Sequence, residues 1–90
     1  MTRFYLHLYE QGKVVPDGEG LERPDLASAM RAAASAARDV MAADVLNGRL
    51  DLSGRIEVVD DHGATVGVIA FADVLTVIGR RAAEPPARPI

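Results

Sequence analysis

Apolar and polar positions alternate along most of the chain, and one long stretch breaks that rhythm. From Arg3 to Tyr9, Phe4, Leu6 and Leu8 point one way, while Arg3, Tyr5, His7 and Tyr9 point the other. A period of two places successive side chains on opposite faces of a strand. From Asp25 to Leu46 the period lengthens. Nine alanines and no Gly or Pro occupy this stretch, and alanine has the best intrinsic helix propensity. Asp25 after Pro24 is a start signal, because its carboxylate can accept from the free N–H groups of a first turn. Asn47-Gly48 is a stop signal. At helical spacing Leu26, Met30, Ala33, Ala37, Val40 and Met41 share a face, opposite Ser28, Arg31, Ser35, Arg38 and Asp39. Such a stripe of small residues needs bulk from the surface it meets.

The remaining runs are short. Lys13-Val14-Val15 reads as a second strand after the turn Glu10-Gln11-Gly12, and Asp17-Gly18-Glu19-Gly20 as a polar loop. Leu21-Glu22 can be extended. Residues 49–54 form a connector. Arg55 to Asp60 and Thr65 to Phe71 alternate again, joined by a hairpin turn at Asp61-His62-Gly63. Residues 72–78 fit a helix or a strand; a short helical turn, capped by Asp73, is favoured because the preceding strand is already long enough. Residues 80–90 hold three prolines and three arginines and read as a disordered tail. The expectation is one α+β domain over residues 1–79, ordered β-β-α-β-β, an antiparallel sheet with the 25–46 helix on one face. Asp44 interrupts the apolar stripe in the last turn. It is expected in water beyond the sheet edge, with an ion pair to Arg49 or Arg55 as the alternative.

Charge and composition narrow the function. The formal net charge of −3 argues against a nucleic-acid surface. The chain has no cysteine, hence no disulfide framework and no Cys-based zinc site. That suits a reducing cytoplasm. The N-terminus lacks the apolar core of a secretory signal, and no run approaches a membrane span.

Candidate chemistry is sparse. His7 between Tyr5 and Tyr9 could form a small site of an imidazole and two phenols, but the pattern brings no carboxylate to it. Asp60-Asp61-His62 places ligand types in a row, whereas metal sites gather ligands from separated positions; a polar hairpin tip is the plainer reading. The Asp17–Gly20 loop lacks the ligand count of a calcium loop and the lysine of a phosphate loop. Ser28, Ser35 and Ser53 have no paired base. The sequence therefore assigns no catalytic residue, cofactor or metal. If the helix covers one sheet face, Tyr5, His7, Tyr9, Val59, Ile69 and Phe71 are expected on the other, an apolar and aromatic patch of the kind that marks interaction sites. The reading is a non-enzymatic domain that binds a second copy of itself or another protein, through this face or a free strand edge.

Several segments together resemble a family of small bacterial proteins known only as a domain of unknown function. Arg3-Phe4-Tyr5-Leu6-His7-Leu8 looks like its opening R-x-Y/F-F-H-L, and Asp17-x-Glu19-Gly20 like its D-x-E-G. Pro24-Asp25-Leu26-x-x-Ala29 is similar to its helix start. Gly48-Arg49 and Ile56-Glu57-Val58-x-Asp60-x-x-Gly63 resemble its I-x-V-x-D-x-x-G hairpin, and Phe71-x-Asp73 its close. The resemblance covers residues 3–76 and implies no activity, substrate or site residue. A more distant likeness is to HicB-like antitoxins, which also place strands before an Ala-rich helix. It implies a regulatory partner of a basic protein, although the Thr and Glu of their helix start are absent and no DNA-binding extension follows.

Overall fold

The computed structural model describes residues 1–79, so the tail expected at 80–90 lies outside the described residues. Strand β1 (Thr2–Glu10) is paired along both sides. Gln11 and Gly12 both take positive φ, 52° and 73°, and form the two-residue hairpin turn that fits strand twist. That turn sets Glu10 opposite Lys13 and brings β2 (Lys13–Val15) antiparallel to β1. A further strand, β3 (Leu21–Arg23), pairs with the first half of β1. The extended reading of Leu21-Glu22 thus becomes a strand, and the sheet has five strands rather than four. Strands β2 and β3 lie end to end along one edge of β1. On its other side β1 pairs with β4 (Arg55–Val59), which pairs with β5 (Thr65–Ala70). All pairs are antiparallel, in the order β2-β1-β4-β5.

Helix α1 (Leu26–Leu46) starts where Asp25 caps it, accepting from the Ser28 N–H at 2.9 Å. It stops at Asn47 and Gly48, whose N–H groups bond the carbonyls of Asp44 and Val45. Its buried line is Ala29, Ala33, Ala37 and Met41, one residue every turn or so. Leu26, expected on the apolar stripe, is 39% exposed. The helix lies across one face of the sheet against Phe4, Ile56, Val58 and Phe71. Full burial of a side chain such as Phe71, Met41 or Val58 contributes about 1.5–3 kcal/mol. The helix approaches β5 closely because Gly67 leaves its side of the strand empty. A Cβ there would lie 2.5 Å from the Met30 sulfur.

Two residues expected on the outer face lie on the helix side. Phe71 is fully buried, and Ile69 packs against the core. The reason is register. Ile56 stands opposite Ile69 and Val58 opposite Gly67, and directly opposed residues share a sheet face. With Ile56 and Val58 buried, alternation turns residues 67, 69 and 71 toward the helix. Phe71 is the bulk that the alanine stripe needed. Val59 stands opposite Thr65, so Val66 is an extra residue, a bulge at the start of β5.

Phe71–Asp73 form one 3-10 turn, followed by irregular chain. Asp73 ends this turn rather than capping a later one. Val74 and Leu75 close the core from below, and the Arg38 Nε donates to the Val74 carbonyl at 3.0 Å. Asp44 meets neither expectation. It is half-buried, makes no ion pair among the described residues, and one carboxylate oxygen is buried without a partner. No helix among the described residues is long and apolar enough to cross a membrane.

Candidate functional site

The densest cluster of polar contacts fills a gap in the sheet. Alternate residues of β1 direct their backbone groups to opposite sides. Leu8 and Phe4 find partners in β2 and β3, at Val15 and Leu21. Leu6, between them, faces the Pro16–Gly20 loop instead of a strand. Its N–H donates to Asp17 Oδ2 at 3.1 Å. The other oxygen of Asp17 accepts from the N–H groups of Glu19 at 3.1 Å and Gly20 at 2.9 Å. The Asp17 N–H in turn donates to His7 Nδ1 at 3.0 Å. An aspartate and a histidine thus replace the ladder bonds that the loop removes.

The electrostatics follow from these bonds. Partial burial pushes the Asp17 carboxyl up. The N–H groups of Gly20, Leu6 and Glu19 pull it down by more, and the net direction is below the ordinary value. Gly20 closes the loop at φ +73°, where a Cβ would lie 2.8 Å from the Phe4 carbonyl and 2.9 Å from the Tyr5 ring. Only glycine fits both constraints. Arg3 straps the same loop, donating to the Glu19 carbonyl at 2.6 Å and to Glu22 Oε2 at 2.8 Å.

Of the residues expected to form an outer surface, Tyr5, His7, Tyr9 and Val59 are on that face, and Ile69 and Phe71 are not. Tyr5 and His7 stack with ring centroids 6.4 Å apart. The Arg55 guanidinium lies 4.1 Å from the Tyr9 ring centroid and pairs with Glu57 at 3.0 Å. These side chains support one another across β1 and β4, as cross-strand neighbours do. His7 accepts an N–H at Nδ1, so the neutral ring carries its proton on Nε2. It presents a donor and no free base. Farther out on the same side, Val68 is 50% and Val66 37% exposed.

The remaining candidates resolve into turns. Asp60 Oδ1 accepts from the N–H groups of His62 and Ala64, both at 2.9 Å, and closes the β4–β5 hairpin. The bond from Ala64, then that from His62, holds its carboxyl below the usual range. Ser53, by its hydroxyl and then its N–H, does the same for Asp51 in the connector. No three of His, Cys, Asp and Glu gather in a metal-holding group among the described residues. A shallow cleft of about 350 Å³ lies beside the β1–β2 hairpin, lined by Tyr9, Glu10, Lys13, Ser53 and Arg55 among others. Its lining mixes the carboxylate of Glu10 with two cations, Lys13 and Arg55, so its charge selects for no one ligand. The Asp17–His7 cluster was missed in the sequence. Nothing local in the sequence joins positions ten apart.

Residues 3–72 match the family described as a domain of unknown function, DUF6894. No curated protein and no solved structure matches the chain.

Proposed function

The chain belongs to the DUF6894 family, and from that premise we propose that it is a non-enzymatic interaction module that works by assembling with a second copy of itself. One observation carries this reading. Polar side chains of the candidate clusters are engaged in holding the fold: His7 and Asp17 in the sheet gap, Arg55 on Tyr9 and paired with Glu57, Asp60 in its hairpin. Unpartnered surface remains where apolar side chains and backbone meet at the rim of the sheet, with Val66 and Val68 exposed. Exposed apolar surface at a strand edge favours association. A chain of 90 residues also gains from it, because so small a core leaves stability marginal.

Light scattering on the purified full chain at micromolar concentration tests the proposal. A mass twice the 9.6 kDa of one chain is expected. A monomer would refute self-assembly. Assembly only after addition of a basic partner would favour the antitoxin-like reading instead, which rests on the net charge of −3.

A further inference from the structure

The two edges of the sheet are built differently. The β2–β3 edge is interrupted by Pro16–Gly20 and carries Lys13, Glu22 and Arg23 on strands of three residues each. Short, charged, broken edges are how proteins prevent strand addition. The β5 edge has none of these guards beyond its first two residues. Thr65–Ala70 reads TVGVIA, with no charge and no proline. No strand among the described residues pairs with its outer side.

Backbone direction follows from one bond. The Phe71 N–H donates to the Gly54 carbonyl at 3.0 Å, so residue 71 turns its groups toward β4. By the alternation of an antiparallel ladder, Ile69 and Gly67 do the same, and Val68 and Ala70 turn theirs to the open edge. Val66 sits in the bulge and leaves the regular ladder. The available pairing surface is therefore Val68 and Ala70, centred on Ile69.

We infer that this edge is the contact in the self-assembly proposed above: β5 pairs antiparallel with β5 of a second copy, about a twofold axis through Ile69. The inference rests on that self-assembly reading. Antiparallel pairing is its own complement under a twofold axis, the commonest symmetry of oligomers. A continuous sheet with both helices on one side requires opposed residues to share a face, so a residue on the axis must face its own copy. Centring on Ile69 sets Val68 opposite the partner's Ala70 and Ala70 opposite the partner's Val68, using every outward group of the regular strand. It also covers the exposed Val68 and the free side of Ile69, which already packs against the core. The flank of α1 above the edge runs from Met30, over Gly67, to Arg38, at Val74, and the residue between them is Ala34.

The absence of native cysteine makes the register directly testable. Val68→Cys and Ala70→Cys are made as separate full-length proteins and mixed under mild oxidation. Opposed residues lie about 5.5 Å apart between Cα atoms, within disulfide reach. Val68 and its own copy lie on a diagonal of about 7–8 Å, beyond it. The expected product is a mixed 68–70 disulfide, with little homodimer from either protein alone. Val68→Pro provides a second arm. It removes an N–H that faces the edge and leaves the β4–β5 ladder intact, so a monomer with an unchanged circular dichroism spectrum is expected. If Val68→Pro fails to fold, Val68→Lys replaces it with the same expectation. A wild-type dimer that gives no mixed disulfide and survives both substitutions would overturn the edge contact while leaving self-assembly intact. A wild-type monomer would overturn both.

Discussion

Replacing Asp17 by Asn tests whether the sheet gap is a structural joint. The change keeps the shape of the side chain and removes one acceptor, so an amide N–H group comes to face the Leu6 N–H. That backbone group is partly buried. Leaving such a donor unsatisfied costs about 1–3 kcal/mol. The bonds from Glu19 and Gly20 can survive on the remaining carbonyl oxygen, weaker for want of charge, so the expected loss is about 2 kcal/mol. With a urea m-value of about 1 kcal/mol/M for so small a domain, the midpoint should fall by about 2 M at unchanged m. The assay is urea unfolding followed by circular dichroism, at one fixed protein concentration because self-assembly would make stability depend on concentration. The pH dependence gives an independent check. The folded Asp17 carboxyl lies below its ordinary value. Between the folded and unfolded pKa the unfolded chain therefore binds more protons, and stability rises with pH. The contribution is complete above the ordinary aspartate range and is lost as pH falls through the folded value. The variant should lack that part of the acid slope and keep the part due to Asp51 and Asp60, also lowered. The gap between the two proteins should be widest near neutrality and close in acid. An equal gap at both ends, or an unchanged midpoint, would show that the carboxylate does not serve the sheet.

Gly54→Ala and Gly67→Ala should part company in the same assay. A Cβ at 54 would lie 2.6 Å from the ring of the fully buried Phe71, and one at 67 meets the movable Met30 sulfur. The first should cost about 1–3 kcal/mol and the second under about 1 kcal/mol; a reversed order would contradict the packing. Asp44→Asn should raise thermal stability by a few tenths to about 1 kcal/mol, since it removes a negative charge from the negative end of α1. A loss on that change would point to a partner for Asp44 in solution. Phe71→Ala should cost about 3–5 kcal/mol and leave little folded protein by circular dichroism, whereas a surface residue would tolerate it without change.

The helix, its caps and the two hairpins were legible because each has a local cause. Asp25 caps within three residues, and Gly63 takes φ +84° where a two-strand turn needs it. The assignment of faces in β5 was not legible. Val66, Val68 and Ala70 are as apolar as Gly67, Ile69 and Phe71, so alternation alone cannot say which set faces the helix. The bulge at Val66 decides it by setting Gly67 and Ile69 opposite Val58 and Ile56, and nothing in the local pattern marks the extra residue. The Asp17–His7 joint was hidden for the same reason. A loop residue and a strand residue ten positions apart meet only because β2 and β3 share one edge of β1.

Several polar and glycine residues within the matched region have physical roles, and the roles are alike. Arg3 straps the loop that Asp17 organises. His7 completes the joint, and Gly20 makes room for Tyr5. Asp25 caps the helix, Asp60 closes a hairpin, and Phe71 fills the core. Each is a point where the backbone leaves a regular ladder or where the alanine helix needs bulk. These residues repair discontinuities in a sheet whose edge strand is broken in two. The break bears on the self-assembly proposed above. Interruption and charge close the β2–β3 edge to strand addition, and β5 is left as the side of the sheet where another strand can join.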